Sequence, residues 1–500
     1  MRRQPQLDKL QQTDCFDLLI LGGGINGACL YDTLCQHGYR VLLIDKGDFA
    51  SGTSQSSGMM IWGGLLYLRN LDFRSVYELS YDRDYIARTK ADWMSPQLMR
   101  YLPSNTFGRS KYWMQFGLWL YWLLGMGRRK TPRTEMQFKE LSLIKQNFVN
   151  GSLAYEEVFL EQSDARFVYR WLAPHQQSGQ MALNYCQIQD GAYKASNNYW
   201  QFDLRDILTG DIYPIRSRMV VNCAGIWTDQ INRDFGITSP VRHAFSKGVY
   251  LGIPRAQEHE TSLFFDLGEH GDVITLVPWG PIALWGPTET AITDLAEGMQ
   301  VLREDIDYLL MHYNRRFSQA ISREDIISLR CGVRPLVIDS HDQHGVAYPL
   351  DLSRRQQVVE NKSQPWISCY GGKMTGCIRM AETVLRLLKQ SIPATGTTSV
   401  RDVTWRESSI QTIFPGLSQT VPTAAWCAEH EQCYTLEDYL RRRTNIAQWI
   451  PRMGLGKKDC HAQVLKNAAE ELAHGNAGLA KQLFDAYQEK VINNFDALLN

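Results

Sequence analysis

The chain has 500 residues, 44% apolar and 21% charged, proportions that exclude a disordered or fibrous polypeptide. Its length requires two or three packed units rather than one core. Lysine plus arginine balances aspartate plus glutamate at 53 each, so no basic excess points to a nucleic acid partner.

The N-terminal MRRQPQLDKLQQTDCFD has no apolar run behind its arginines, and no signal peptide is expected. Residues 16–21, FDLLIL, read as a buried strand, followed by GGGINGACLYDTLCQHG with Gly22, Gly24 and Gly27 in the GxGxxG pattern. A helix runs to about Gly38, and VLLID is a second strand ending at Asp45. Gly22 permits the tight turn, Gly24 lets a pyrophosphate approach, and Gly27 lets helix and strand pack closely. The helix N-terminus offers N–H groups and a positive dipole end to that pyrophosphate, and Asp45 is placed to bond ribose hydroxyls. The motif alone does not choose between NAD and FAD.

The next stretch helps with that choice. KGDFASGTSQSSG is rich in small hydroxyl residues that suit a pyrophosphate and flavin edge lying extended across the domain. In IWGGLLYL, Gly63 and Gly64 would let the backbone approach a flat ring. Farther on, Trp113–Met126 (WMQFGLWLYWLLGM) is almost wholly apolar and precedes GRRK. It is too short to span a bilayer. A helix lying at a membrane interface and a buried helix with a basic C-terminal cap both remain open. The eleven cysteines form no CxxC pair and no zinc-ligand spacing, which reads as reduced thiols of a cytosolic protein with no metal site.

DLLILGGGINGA, TSQSS and WGGLLYL together resemble the N-terminal third of the FAD-dependent (aerobic) glycerol-3-phosphate dehydrogenases, within the D-amino-acid-oxidase-like flavoenzymes. The likeness continues in order through YEEVFLEQSDAR (155–166), VVNCAGIWTDQI (220–231), SKGVYLGIP (246–254), VPWG with WGPTET (277–290), CGVRPL (331–336), YGGKMT (370–375) and LEDYLRRRTNIAQW (436–449). It implies an α/β fold, α+β overall: a split Rossmann-type FAD domain, an antiparallel-sheet substrate domain and a C-terminal helical domain. The expected boundaries are a first FAD segment at 14–90 and a substrate region at 91–290 with a return to the FAD domain at about 150–235. Substrate helices and the last FAD strands would follow at 291–390, and helices at 396–500.

The resemblance further implies FAD as the cofactor. It would be bordered by Gly22, Gly24, Ile25, Asn26, Gly27, Asp45, Lys46, Thr53, Ser54, Ser57, Met59, Gly63, Gly64, Ala224, Gly225, Trp227, Gly332, Gly372, Lys373, Met374 and Thr375. Arg334 and Lys373 match family positions that contact substrate at the flavin, Arg354 matches a further arginine, and Thr288 matches a polar contact near the ring. Arg334 suits bidentate pairing with phosphate or carboxylate. Lys373 suits negative charge at the flavin edge.

The chain also departs from the family. Met59, Trp62 and Leu66 stand where the family stretch carries lysine, histidine and arginine, while Gly63, Gly64 and Tyr67 are kept. Tyr250 replaces a histidine that is a general-base candidate, and would accept a proton only if a neighbour lowered its pKa. The expectation is a dehydrogenase that oxidises a CH–OH group of an anionic small molecule, larger or more apolar than the family's substrate, and passes electrons to a quinone or other acceptor. Such a protein would be cytoplasmic, with peripheral contact on the inner membrane face, and a homodimer is compatible with the resemblance. The alternatives are an amine or amino-acid oxidase of the same fold and a non-catalytic flavin-binding protein.

Overall fold

The computed structural model describes residues 3–104, 110–145, 148–149, 151–177, 180–267, 273–341, 356–396 and 408–499. Two sheets organise the chain. The first is built on parallel strands Trp366–Tyr370, Ile212–Asn222, Phe16–Leu21, Val41–Ile44 and Met181–Leu183, in that spatial order. Phe16–Leu21 and Val41–Ile44 are buried along their whole length, as strands covered on both faces must be. Gln357–Glu360 adds an antiparallel edge, and the hairpin of Cys186–Lys194 and Tyr199–Asp206 extends Ile212–Asn222. Helices Ile25–Gln36 and Cys377–Ser391 lie together and bury Cys29, Cys377 and Val384 in the main core.

The second sheet has ten strands and is mostly antiparallel. Its longest pairing joins Val241–Pro254 to Ser328–Asp339, from Val241 opposite Asp339 to Gly252 opposite Ser328. That register sets Ser246 against Arg334, Gly248 against Gly332 and Tyr250 against Arg330 on one face. Ser152–Leu160 also joins this sheet, between Met94–Leu102 and Met60–Ile61. After it, helix Asp164–Gln177 packs against helix Ile25–Gln36, and Met181–Leu183 then adds to the first sheet.

The aromatic run forms helix Lys111–Leu124. Met114, Leu118 and Tyr121 face inward, but Tyr112 and Trp113 are 81% and 72% exposed, and Phe116, Leu123 and Met126 also face outward. The buried-helix alternative holds for one face only. Beside it, helix Phe73–Thr89 turns Phe73, Tyr77 and Tyr81 outward. Among the described residues no helix is long and apolar enough to cross a membrane.

Near the C-terminus, Asp438–Arg443 is a π-helical turn whose three arginines are buried. Arg443 donates to both oxygens of Asp48 at 2.8 Å, and Arg442 bonds Asp48 and Asp438 at 2.6 Å. Arg441 reaches the carbonyl of Gln55. From the second sheet, Arg330 bonds the carbonyl of Ser57 at 3.0 Å and Asp164 at 2.7 Å, and Asp164 accepts from the Ser57 N–H. The hydroxyl-rich loop at 48–57 is thus gripped by buried charges that come from far along the chain.

Candidate active site

A cleft of about 790 Å³ runs from the glycine turn, along the edge of the first sheet, to the face of the second. At one end Gly22 adopts φ +105°, and a Cβ there would meet the Cys223 carbonyl at 2.6 Å. A Cβ on Gly27 would lie 1.9 Å from the Gly22 carbonyl, so the close helix–strand contact read from sequence is real. Helix Ile25–Gln36 starts at Gly24, which has no side chain to cap it; the Ile25 N–H donates to Ser54 Oγ at 3.0 Å, and Gly24, Ile25 and Asn26 line the cleft. Asp45 accepts from the N–H groups of Gly23 (2.6 Å) and Gly47 (2.9 Å). Burial raises its pKa to about 6, against the pull of those bonds. Lys46 lies 4.0 Å from the Trp227 ring centroid.

Of the residues expected to border a cofactor, Gly22, Gly24, Ile25, Asn26, Asp45, Lys46, Thr53, Ser54 and Ser57 line this cleft. So do Ala224, Gly225, Trp227, Gly372, Lys373, Met374 and Thr375. Others do not. Met59 turns into the core at φ +64°, and Met60 lines the cleft in its place. A Cβ on Gly63 would strike the Tyr121 hydroxyl at 2.2 Å and Arg83 at 2.8 Å, so this glycine makes room for a buried charge network behind the cleft. In that network Arg83 bonds Tyr121 at 2.9 Å and Glu157 at 3.1 Å. Gly64, at φ +89°, caps the short helical turn Leu65–Asn70. Gly332 backs onto Ser56, which itself lines the cleft.

The other end of the cleft is walled by Met60, Trp62, Leu66, Met99, Phe264 and Val273. Arg334, Lys373 and Tyr250 all reach it. The Lys373 ammonium lies 4.1 Å from the Trp62 centroid and 4.4 Å from that of Tyr67, and these two rings stack 6.5 Å apart. Tyr67 thus meets the site through Lys373 rather than as part of the wall. Arg334 is seated by a residue not singled out from sequence: a Cβ on Gly248 would fall 2.1 Å from its Nη2. The guanidinium pairs with Glu289 at 3.3 Å and approaches Ser246 and the Thr288 carbonyl at 3.4 Å.

Thr288 does not present its hydroxyl to the cleft. That oxygen accepts the Val249 N–H at 3.0 Å, and the neighbouring Glu289 lines the cleft instead. Tyr250 is buried at the cleft wall, and burial raises its pKa even though Arg334 and Arg330 pull the other way. The condition for its acting as a proton acceptor is not met. Arg354 lies outside the described residues.

A family model described as FAD dependent oxidoreductase (DAO) matches residues 17–356. The chain belongs to that family. It is 30% identical over 405 residues to the D-erythritol 1-phosphate dehydrogenase of Brucella abortus, covering 77% of this chain and 76% of that one. It is 29% identical over 398 residues to the aerobic glycerol-3-phosphate dehydrogenase of Staphylococcus haemolyticus, covering 77% and 69%. Its fold matches that of the Bacillus halodurans glycerol-3-phosphate dehydrogenase complexed with FAD, with a TM-score of 0.72 at 19% identity over 100% and 98% of the two chains. This protein is an FAD-dependent oxidoreductase related to the glycerol-3-phosphate dehydrogenases.

The residues present fit that cofactor. The N-terminus of helix Ile25–Gln36 suits a pyrophosphate. Asn26 Oδ1, buried beside it, has no hydrogen-bond partner among the described residues and, as an acceptor, would take an N–H or O–H of the cofactor rather than a phosphate oxygen. Ribose hydroxyls donating to Asp45 would lower its pKa from about 6, so bound cofactor favours the ionised form. FAD affinity is therefore expected to be full above pH 7 and to fall roughly tenfold as the carboxylate protonates below pH 6. Flavin fluorescence titrations across pH 5–8 test this, and Asp45→Asn should flatten the profile at the weak limit.

Proposed function

We infer that this protein is an FAD-dependent dehydrogenase of an anionic alcohol with an apolar body. One observation carries the reading: Arg334 and Lys373 line the same cleft as Trp62, Leu66, Met99, Phe264 and Val273, continuous with the glycine turn. Bound FAD supplies a two-electron acceptor able to take a hydride from a carbon bearing oxygen. Arg334 holds the anionic group through its planar fork. Lys373, held against the Trp62 and Tyr67 rings, stabilises negative charge at the reacting end. Trp62, Leu66 and Phe264 pack the substrate body. Tyr250 keeps its proton, and the hydroxyl proton leaves through water.

Relatives named for glycerol 3-phosphate and D-erythritol 1-phosphate support an alcohol carrying an anionic group. An anaerobic screen across phosphorylated polyols, hydroxy acids and amines tests the reading by bleaching of the flavin absorbance. Bleaching by anionic alcohols is the expected result. Bleaching by amines alone would make the protein an amine oxidase of this fold, and no bleaching by any donor would leave a flavin-binding protein.

The outward face of Lys111–Leu124 supports a membrane-bound quinone as electron acceptor. Tyr112, Trp113, Phe116 and Leu123 form its apolar part, with Tyr77 and Tyr81 alongside. Arg128 lies 5.2 Å from the Tyr81 ring and Lys130 is three-quarters exposed, so cations border the rings. Aromatic side chains edged by cations match an anionic lipid surface. Sedimentation with vesicles containing phosphatidylglycerol is expected to capture the protein, less so at high salt. Trp113→Ser with Phe116→Ser should weaken capture by about tenfold or more.

A further inference from the structure

The turn that carries Lys373 is held by a histidine that is itself no part of the cleft wall. Strand Trp366–Tyr370 ends in Gly371 and Gly372, at φ +62° and +100°, and Lys373 then opens the short helical turn Met374–Gly376. Gly371, Gly372, Lys373, Met374 and Thr375 all line the cleft. The Gly371 N–H donates to His243 Nε2 at 2.9 Å, and the Gly371 carbonyl accepts from Asn26 Nδ2 at 3.3 Å. His243 comes from strand Val241–Pro254, which also sets Ser246 and Gly248 against Arg334.

That contact fixes the state of the imidazole. A backbone N–H only donates, so Nε2 presents its lone pair, and the proton of the neutral ring sits on Nδ1. Nδ1 stands 3.4 Å from Asp229 Oδ2, and the same carboxylate oxygen accepts the His243 N–H at 2.9 Å. Asp229 belongs to helix Thr228–Asp234, so one carboxylate steadies both the ring and the backbone of His243. The His243 side chain is wholly buried, with the Tyr370 and Phe245 rings 5.0 and 5.9 Å from its own. A ring packed in this way holds one orientation. Two glycines in succession supply no side chain to fix the turn, so its conformation depends on such outside bonds. Without Nε2 the Gly371 N–H would lose its acceptor beside a buried strand end, which is costly.

Resting on the role given to Lys373 above, we propose that His243 is a positioning residue. As a neutral acceptor aimed by Asp229, it fixes the Gly371–Gly372 turn and so sets where the Lys373 ammonium meets the reacting end of the cleft.

Three variants separate the acceptor from the bulk of the ring. His243→Gln can place its amide oxygen where Nε2 stands, His243→Asn reaches only as far as Nδ1, and His243→Leu has no acceptor. Each is studied as the FAD-loaded protein, and flavin content verifies that it is folded. Hydrogen exchange of the Gly371 amide, resolved by fragmenting peptides that cover 366–376, is expected to quicken about tenfold in His243→Asn and His243→Leu and to change little in His243→Gln. The flavin midpoint potential should fall by about 30 mV in the same two variants, a tenfold loss in the two-electron reduction equilibrium, because a displaced ammonium stabilises the reduced flavin less. Lys373→Met should lower the potential as well. Unchanged exchange in His243→Leu, or exchange in His243→Gln as fast as in His243→Leu, would overturn the proposal. Faster exchange with an unmoved potential, where Lys373→Met does lower it, would also overturn the proposal and leave the role of Lys373 standing. A potential unmoved by Lys373→Met would overturn that role and the proposal together.

Discussion

Replacing Arg334 by leucine is expected to lower kcat/KM for the best donor by about 10³-fold, with FAD still bound. The substitution removes the guanidinium that meets the substrate anion and takes one cation from Glu289 on the chamber wall. Truncating one side of a desolvated charge pair costs about 2–5 kcal/mol, which corresponds to a loss of about 30- to 5,000-fold. The upper part of that range applies because the loss falls on the substrate anion and on the Glu289 pair together. Steady-state kinetics check the loss, and the flavin spectrum checks that the cofactor stays. Arg334→Lys should recover little, since an ammonium cannot reproduce the fork against Ser246, Glu289 and substrate together. A tenfold loss or less would mean that another cation carries the anion.

The second large effect is expected in stability. Arg443→Met leaves Asp48 with one arginine in place of two, inside a fully buried cluster. Burial alone would raise the Asp48 carboxyl pKa, but Arg443 and Arg442 hold it below the ordinary value. A carboxyl depressed in the folded state stabilises above its unfolded pKa near 4, and that contribution is lost as pH falls through the lower folded value. Breaking such a buried pair costs about 3–5 kcal/mol. Chemical denaturation of the variant at pH 7 should show this loss. Because Asp48 anchors the loop carrying Thr53, Ser54 and Ser57, FAD retention should fall along with stability. An unchanged unfolding midpoint would show that Arg442 alone satisfies the carboxylate.

The parts of this site that could be read from sequence are those the chain writes consecutively. Strand, glycine turn, helix, strand and Asp45 are one local unit, and each glycine has a spacing that states its task. Arg334 and Lys373 stood out through the motifs CGVRPL and YGGKMT, although Arg334 lies in mid-strand opposite Ser246 and not in the tight turn that Gly332 and Pro335 suggest. The supports of these residues were not legible. Gly248 lies across a strand pairing from Arg334, and nothing near it in sequence says that a guanidinium will cover it. Glu289 was passed over for Thr288, because only the paired strand shows that the threonine hydroxyl is taken by Val249. Gly63 and Gly64 were assigned to the ring, but the demand for a small residue at Gly63 comes from Arg83 and Tyr121 behind it. The outward face of Lys111–Leu124 was ambiguous, since an apolar run does not say how many of its sides find a partner.

The grip of Arg442 and Arg443 on Asp48 also has a consequence for the order of events during synthesis. The strand–turn–helix unit leaves the ribosome early, but the countercharges of its loop are translated almost 400 residues later. Until then Asp48 has no place in a dry interior, and the loop must stay wet and unformed. Flavin uptake is therefore a late, post-translational step. Nascent chains halted before residue 441 should emerge colourless and depend on chaperones, however complete their first domain looks.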